Sequence, residues 1–510
     1  MEASPTAILK LLLPKTPFIL KTALAHTLSL SPTASKWDLR TELTINIMRS
    51  MLVPGSTPST ISKNQRLTTK DPGVKGKMWI SKVSIPVDSD DDHVRQLVLD
   101  TVDSMSTTPE QKATVYEKPA SQPLEAEWTG YRASATSTSP EPPNLSEQEK
   151  YNNLVAETTS KVTTLYFHGG AMYLLDPSTY RNLTSRIAKD TGGRVFSVRY
   201  RLAPQHPFPA ALLDALVAYI GLLHPPPGSP HAPIPASEIV FAGDSAGGML
   251  CAALLQLLLQ IHRTHTPSDP SSPSLPTVKW HNKDVPLPLP AGLALTSPWL
   301  DLTRSLPSLT SLAHYDYLPS PSQTLTHRWP ACPAWPSPPP RADLYCDGGL
   351  LLHPLASPLM ALDWTNAPPV FFSVGQEMLR DEDAVLARRL VQQGSVIRWV
   401  EFEGMPHVFA VILEGSAAAD RHHEVFAAFC SDVVVAAAAA ANKTEGQGLK
   451  SEARLVLAKS LKDKDMDLKD ITDLTDEQVD GLCNDGMKRI VEVFEARRNG
   501  DEDAVQRAML

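Results

Sequence analysis

The sequence lacks the features that mark several large protein classes. Across 510 residues the formal net charge is −9, so the basic footprint of a nucleic-acid binder is missing and no nucleic acid is expected as a partner. The Cys and His residues show no zinc-like spacing, so the chemistry is expected to need neither metal nor cofactor. The cysteines are few and odd in number: Cys251, Cys332, Cys346, Cys430 and Cys483 are widely scattered and read as free thiols in a reducing compartment. That points to the cytoplasm, with association at the ER membrane as the variant. A clean membrane span is missing too, because the apolar stretch from Ile8 to Leu30 is broken by Lys10, Pro14, Lys15, Pro17 and Lys21, short of the roughly 20 uninterrupted apolar residues a span needs. Glu2 stands where a signal peptide would carry a basic start. What this segment can still do is touch a membrane peripherally or cap a substrate site. Sequons at Asn144, Asn182 and Asn442 gain meaning only on a secretory route.

What is present is a pair of glycine-rich turns, each at the end of an apolar strand. In Phe241-Ala242-Gly243-Asp244-Ser245-Ala246-Gly247-Gly248 the serine occupies a sharp turn between a strand and an Ala/Leu-rich helix. The glycines leave room for a strained backbone, and the helix aims its N-terminal N–H groups at the reacting centre. Such a turn is a weak signal alone. It gains weight from Leu165-Tyr166-Phe167-His168-Gly169-Gly170-Ala171 upstream, because acyl transfer needs both an activated hydroxyl and preorganised N–H donors for a developing oxyanion. Gly169, Gly170 and Ala246 are the expected donors. His168 and Asp244 are expected to position these loops rather than to react.

A base is expected late in the chain, after an acid. Val370-Phe371-Phe372-Ser373-Val374 reads as a strand, followed by the acidic cluster Glu377, Asp381, Glu382 and Asp383 and a helix through Leu390. Val396 to Phe402 reads as the next strand and ends in Gly404-Met405-Pro406-His407. His407 is thus the candidate base on a Gly/Pro loop at the sheet edge. Position favours Glu377 as its carboxylate partner, while Asp381 is the alternative acid, lying where a first helical turn favours acidic residues anyway.

Five ordered motifs then carry a resemblance: H-G-G at 168–170, Tyr200-Arg201-Leu202-Ala203-Pro204 running on to Ala210, G-D-S-A-G-G at 243–248, Ser297-Pro298-Trp299-Leu300-Asp301, and G-M-P-H at 404–407. Over about residues 120 to 435 the chain resembles the hormone-sensitive-lipase group of α/β hydrolases, and is similar to its fungal steryl acetyl hydrolase and arylacetamide deacetylase-like members. The resemblance implies an α/β hydrolase fold, a mostly parallel sheet flanked by helices, with an N-terminal helical cap. It also implies a serine carboxylesterase acting on a hydrophobic small-molecule ester with a short, acetyl-type acyl group. An amidase, thioesterase or acyltransferase would use the same residues, and a ligand-binding protein of this fold would lack one of them. The family's D-P-L-x-D aligns with Glu377-Met378-Leu379-Arg380-Asp381, which supports Glu377, and Ala171 departs from the family's H-G-G-G.

The chain exceeds one hydrolase domain of about 300 residues, so additions are expected at its ends. Residues 1–75 read as an apolar segment and cap helices, including an apolar stripe from Trp37 to Met51, and 54–76 and 118–149 read in large part as loops or linkers. Residues 76–440 read as the hydrolase domain, its first strands at Met78 to Val87 and Leu124 to Tyr131, with a surface excursion from Thr264 to Pro290. Within it, Pro319 to Pro340 with Trp329 and Trp335 reads equally as a lid or a packed loop, and Trp299 and Asp301 as braces of the sheet edge. Residues 441–510, dense in Lys, Asp and Glu, read as a charged tail, partly helical or disordered, with a capping box at Thr475 to Gln478 opening a helix toward Arg498.

Overall fold

The short all-apolar runs become the centre of one ten-stranded sheet, because strands covered on both faces tolerate no polar alternation. The structure, a computed structural model, describes residues 13–52, 59–87, 92–266, 274–441 and 448–509. In chain order the strands are β1 (Met78–Ile85), β2 (Leu124–Tyr131), β3 (Thr163–Phe167), β4 (Arg194–Val198), β5 (Ile239–Asp244), β6 (Thr277–Trp280), β7 (Lys283–Pro286), β8 (Gly292–Thr296), β9 (Val370–Gly375), β10 (Ile397–Phe402), β11 (Glu452–Val456) and β12 (Asp463–Met466). The sheet runs β1-β2-β4-β3-β5-β8-β9-β10-β11-β12. It is parallel from β4 to β11, with β1, β2 and β12 contributing antiparallel pairings at its ends.

Successive residues of one strand enter opposite cores, as the pleat requires. Leu165 and Phe167 of β3 join the same cluster as Phe196, Leu250 and Trp399, whereas Tyr166 joins Val195, Phe371, Val400 and Phe426 on the other face. The longer helices that matter here are α1 (Thr16–Thr27), α2 (Leu39–Leu52), α3 (Arg181–Thr191), α4 (Ala210–Leu223), α5 (Ala246–Thr264), α6 (Arg380–Gln392), α7 (Ala417–Ala441), α8 (Asp476–Asn499) and α9 (Glu502–Met509). Helices α5 and α7 are long and apolar enough to cross a membrane, but α5 is mostly buried inside the fold and α7 packs against α3 and the sheet. Strand order reverses around β3, so the C-terminal ends of β3 and β5 flank the switch point where open α/β sheets bind ligands.

Three expectations about the periphery change. The stretch from Thr264 to Pro290 is not merely a surface excursion: it carries the β6–β7 hairpin, whose Val278, Trp280 and Val285 are buried in the core, while residues 267–273 lie outside the described residues. The loop expected over 54–76 contains a capped helix, Ile61–Thr68, with Ile61 buried. The largest correction concerns the expected tail over 441–510, of which 442–447 and 510 lie outside the described residues. Strand β11 pairs in parallel with β10, from Arg398↔Glu452 to Phe402↔Val456, and β12 extends the sheet again. Helix α8 opens with the expected Thr475/Gln478 capping box and buries Val479 and Cys483, both fully, in the core below. The apolar positions recur at helical spacing, so the abundant charges fall on the outer face of a docked helix, and composition alone resembles a solvated tail. Residues 448–509 are therefore built into the hydrolase fold.

Candidate active site

Ser245 is the residue between β5 and α5, held at φ 52° and ψ −122°. Non-glycine residues rarely occupy positive φ, and here the surrounding backbone enforces it. The Ser245 N–H donates to Thr296 O at 3.0 Å, and its carbonyl accepts from Met249 N and Trp299 N, each at 3.0 Å. Gly247 must be glycine, because a Cβ there would overlap Phe167 O.

The pairing Phe402↔Gly375 sets the loops after β9 and β10 side by side. His407 Nε2 lies 2.9 Å from Ser245 Oγ, and His407 Nδ1 lies 3.2 Å from Glu377 Oε1. With the imidazole neutral, Nδ1–H donates to the carboxylate and Ser245 Oγ–H donates to Nε2. Glu377 is 0% and His407 2% exposed. Burial pushes the Glu377 carboxyl up, against the pull of His407. Burial alone would depress the His407 imidazole, but the carboxylates of Glu377, Asp316 and Asp244 outweigh it and hold it above its ordinary value.

The alternative acid is elsewhere: Asp381 lies in the first turn of α6, where its Oδ2 accepts from the Ser308 N–H at 2.8 Å. Two residues that sequence reasoning did not assign to the site support the acid instead. Ser297 Oγ donates to Glu377 Oε2 at 2.9 Å and accepts the Val408 N–H at 3.3 Å. Buried Asp316 accepts the Met378 N–H at 2.9 Å, which fixes the backbone just past Glu377.

The donor set opposite Ser245 needs one correction. The Gly169 N–H is turned toward Asp244 Oδ1 (3.1 Å) and Tyr180 Oη (3.2 Å), so it is already spent. Asp244 is the anchor of that loop, because its carboxylate also accepts from Tyr166 Oη at 2.7 Å and Tyr180 Oη at 2.9 Å. The chain then swings through positive φ at Gly170 (111°) and Ala171 (51°). Among the described residues no protein acceptor takes the Gly170 or Ala171 N–H. Together with Ala246 at the start of α5, these are the amides left free to face a substrate oxygen. The motif revealed that a donor loop exists, but not which amides Asp244 consumes.

His168, expected to lock this loop, contacts it directly. It is buried, its Nδ1 lies 2.7 Å from Gly169 O, and it stacks on Tyr200, whose hydroxyl donates to His168 O at 2.6 Å. Burial lowers its pKa to about 4, so it stands neutral. Trp299 and Asp301 brace the sheet edge as expected: the indole N–H donates to Asp301 O at 2.8 Å, and the Asp301 carboxylate accepts the N–H groups of Thr303 and Ser305. Of the two tryptophans in the proline cluster, Trp329 meets Tyr173, three residues past Gly170, edge-on at 5.7 Å. Trp335 closes a local turn with Cys332.

Comparison with known proteins agrees with this geometry. The profile of the α/β hydrolase fold matches residues 164–411. An acetyl-hydrolase from Streptomyces hygroscopicus is 31% identical over 250 residues, which cover 48% of this chain and 68% of that protein. The chain belongs to the α/β hydrolase fold family. Its relatives, named acetyl-hydrolase, lipase and esterase, make it a serine carboxylesterase. Lipase 2 from a Moraxella strain is 28% identical over 51% of this hydrolase, a match spanning 58% of the lipase's own length. A solved mutant esterase, 22% identical, covers 78% of this hydrolase and 100% of its own chain with a TM-score of 0.50, which supports the fold. The family profile stops short of β11, β12 and α8.

Proposed function

We propose that this esterase cleaves a hydrophobic, short-acyl ester through a Ser245–His407–Glu377 triad and an acyl-enzyme. The observation that carries the reading is the unbroken chain of contacts from Ser245 Oγ to His407 Nε2 (2.9 Å) and from His407 Nδ1 to Glu377 Oε1 (3.2 Å), closed off from water around the acid. Ser245 Oγ attacks the ester carbon as its proton passes to His407 Nε2. The carbonyl oxygen takes the negative charge and is met by the Gly170, Ala171 and Ala246 amides. The ester C–O bond then breaks, and the departing alcohol takes the proton from Nε2. Water attacks the acyl-serine with His407 again as base, which releases the acid and restores Ser245. Glu377 keeps the imidazole in the tautomer that presents a free Nε2 and stabilises its charged form.

The acetyl preference is supported by the name of the Streptomyces hygroscopicus relative. Five unpaired cysteines, four of them buried, support a cytoplasmic setting. Hydrolysis of p-nitrophenyl esters from acetate to palmitate tests the reading. The expected profile has its highest kcat/KM at the short end and vanishes in Ser245→Ala. Turnover retained by Ser245→Ala would remove the nucleophile, and a maximum at palmitate would remove the acyl preference.

A further inference from the structure

Helix α1 and its C-terminal cap leave a stripe of leucines exposed to water. Leu20, Leu24 and Leu28 recur every four residues and so form one stripe; they are 64%, 61% and 58% exposed. The half-buried face is mixed, with Ile19, Thr22, Ala23, Ala25 and His26, whose Nδ1 meets Glu42 Oε2 of α2 at 3.2 Å, so the three leucines are left outside it. A helix packed on a water-soluble surface carries its apolar residues on the opposite side. The patch is wider than the stripe. Leu13, Phe18 and Leu30 are exposed beside it, and Lys15 Nζ donates to Ser50 Oγ at 2.9 Å, which brings exposed Met51 and Leu52 of α2 to its margin. Exposed large apolar side chains are otherwise scattered singly along the chain.

The charge on the segment that carries the stripe is basic: between residues 13 and 37 there is no Asp or Glu, and Lys15 and Lys21 stand beside the leucines, whereas Lys36 is paired with Glu403 and the Glu42 carboxylate of α2 is taken up by His26, Ser31 and Thr33. A second copy meeting this face would set lysine against lysine. An anionic lipid surface offers both partners the patch requires, acyl chains for the leucines and negative headgroups for the lysines.

The patch is also tied to the site. The Trp37 indole, between α1 and α2, donates to Gly404 O on the histidine loop at 2.5 Å. From α2, Arg49 Nε donates at 2.9 Å to Asp316 O, the residue whose carboxylate holds the backbone past Glu377. A surface held by α1 and α2 is thereby held next to the loops that carry His407 and Glu377.

We propose that the α1 leucine stripe and its lysine margin form an interfacial docking surface for anionic lipid bilayers, which brings the esterase to substrates dissolved in the lipid. The purpose assigned to it rests on the ester-hydrolase reading; the docking itself does not. The test is flotation of the full chain with phosphatidylcholine vesicles, with and without phosphatidylserine, beside the double variant Leu20→Asp/Leu24→Asp. The wild type is expected to float with the phosphatidylserine vesicles and to be released by salt, and the variant to lose binding by about tenfold or more. Both should hydrolyse soluble p-nitrophenyl acetate at equal rates, because neither leucine touches the reacting residues; that readout separates failure of the docking idea from failure of the catalytic one. Absence of flotation in the wild type, or equal flotation of the variant, overturns the proposal. A wild-type dimer by light scattering that becomes monomeric in the variant, with no vesicle binding, also overturns it in favour of a second copy.

Discussion

Replacing Glu377 by Gln removes one charge from the site while leaving an amide oxygen able to accept the His407 Nδ1–H. The carboxylate and the imidazole are 3.2 Å apart, and both are out of contact with water. At an effective dielectric of about 20, a unit charge pair at this separation is worth roughly 5 kcal/mol. In the proposed mechanism the imidazolium formed as Ser245 gives up its proton loses that stabilisation, which translates to an expected fall in kcat of about a thousandfold to ten-thousandfold with KM little changed. The pH profile carries an independent sign. In the proposed mechanism His407 is the base, so activity should rise with pH as the imidazole loses its proton, and the Glu377 carboxylate, with Asp316 and Asp244, holds that transition above the ordinary histidine value. With Glu377 neutral, the depressing effect of burial weighs more, and the acid limb of kcat/KM must move to lower pH. Asp381→Asn, run in parallel on p-nitrophenyl acetate, should stay within about threefold of wild type, since that carboxylate serves the Ser308 N–H. An acid limb that does not move in Glu377→Gln, or an Asp381→Asn loss as large as that of Glu377→Gln, would refute the assignment.

Two further predictions concern stability. Val479→Asp places a carboxylate where α8 meets the core, at a position with 0% exposure, and should destabilise the protein by about 3 kcal/mol or more; a thermal unfolding temperature and esterase activity equal to wild type would mean that α8 does not support the hydrolase fold. His422 is buried with its Nδ1 2.7 Å from Ser373 Oγ, and burial holds its pKa well below the ordinary value. Its neutral form therefore contributes stability that is complete above the unfolded-state pKa of about 6.5 and falls away below it. Urea unfolding should show the gap between wild type and His422→Gln narrowing from pH 7 to pH 5, and a constant gap would contradict the buried neutral state.

The placement of the candidate site was legible because each of its residues follows a strand end. Ser245, Glu377 and His407 follow β5, β9 and β10 in the order the fold dictates, and the strands announce themselves as short apolar runs with glycine just beyond. The periphery was harder to read for a physical reason. A helix such as α8 that covers an existing core needs few apolar residues of its own, so Val479 and Cys483 disappear among the acids and lysines around them. Strand β11 is no clearer, since Glu452-Ala453-Arg454-Leu455-Val456 acquires its meaning only from the open edge of β10 beside it. The Gly169 misassignment has a similar origin: sequence shows three consecutive amides able to turn inward, and the selection among them is made by Asp244, 75 residues away.

Ser297 shows how the separate loops become one site. Three residues in the loops that follow strands are held at positive φ: Ser245 at 52°, Ser297 at 45° and Val408 at 45°. None is glycine, so each conformation is disfavoured in isolation and persists only where the surroundings over-determine it. Ser297 links the other two. Its N–H donates to Ser373 O at the end of β9, its hydroxyl donates to Glu377 and accepts from Val408 N, and the residue before it receives the Ser245 N–H. The nucleophile turn, the acid loop and the histidine loop are therefore each bonded to the turn after β8, which itself supplies no reacting group. The strain at the three positions is held by bonds that run between them. A shift of any one strand end would move Ser245, His407 and Glu377 relative to one another, so their hydrogen-bond distances depend on the register of β5, β8, β9 and β10 as a unit. That dependence extends to the added strands beyond β10: by pairing with the β10 edge, β11 fixes the strand from which the His407 loop departs.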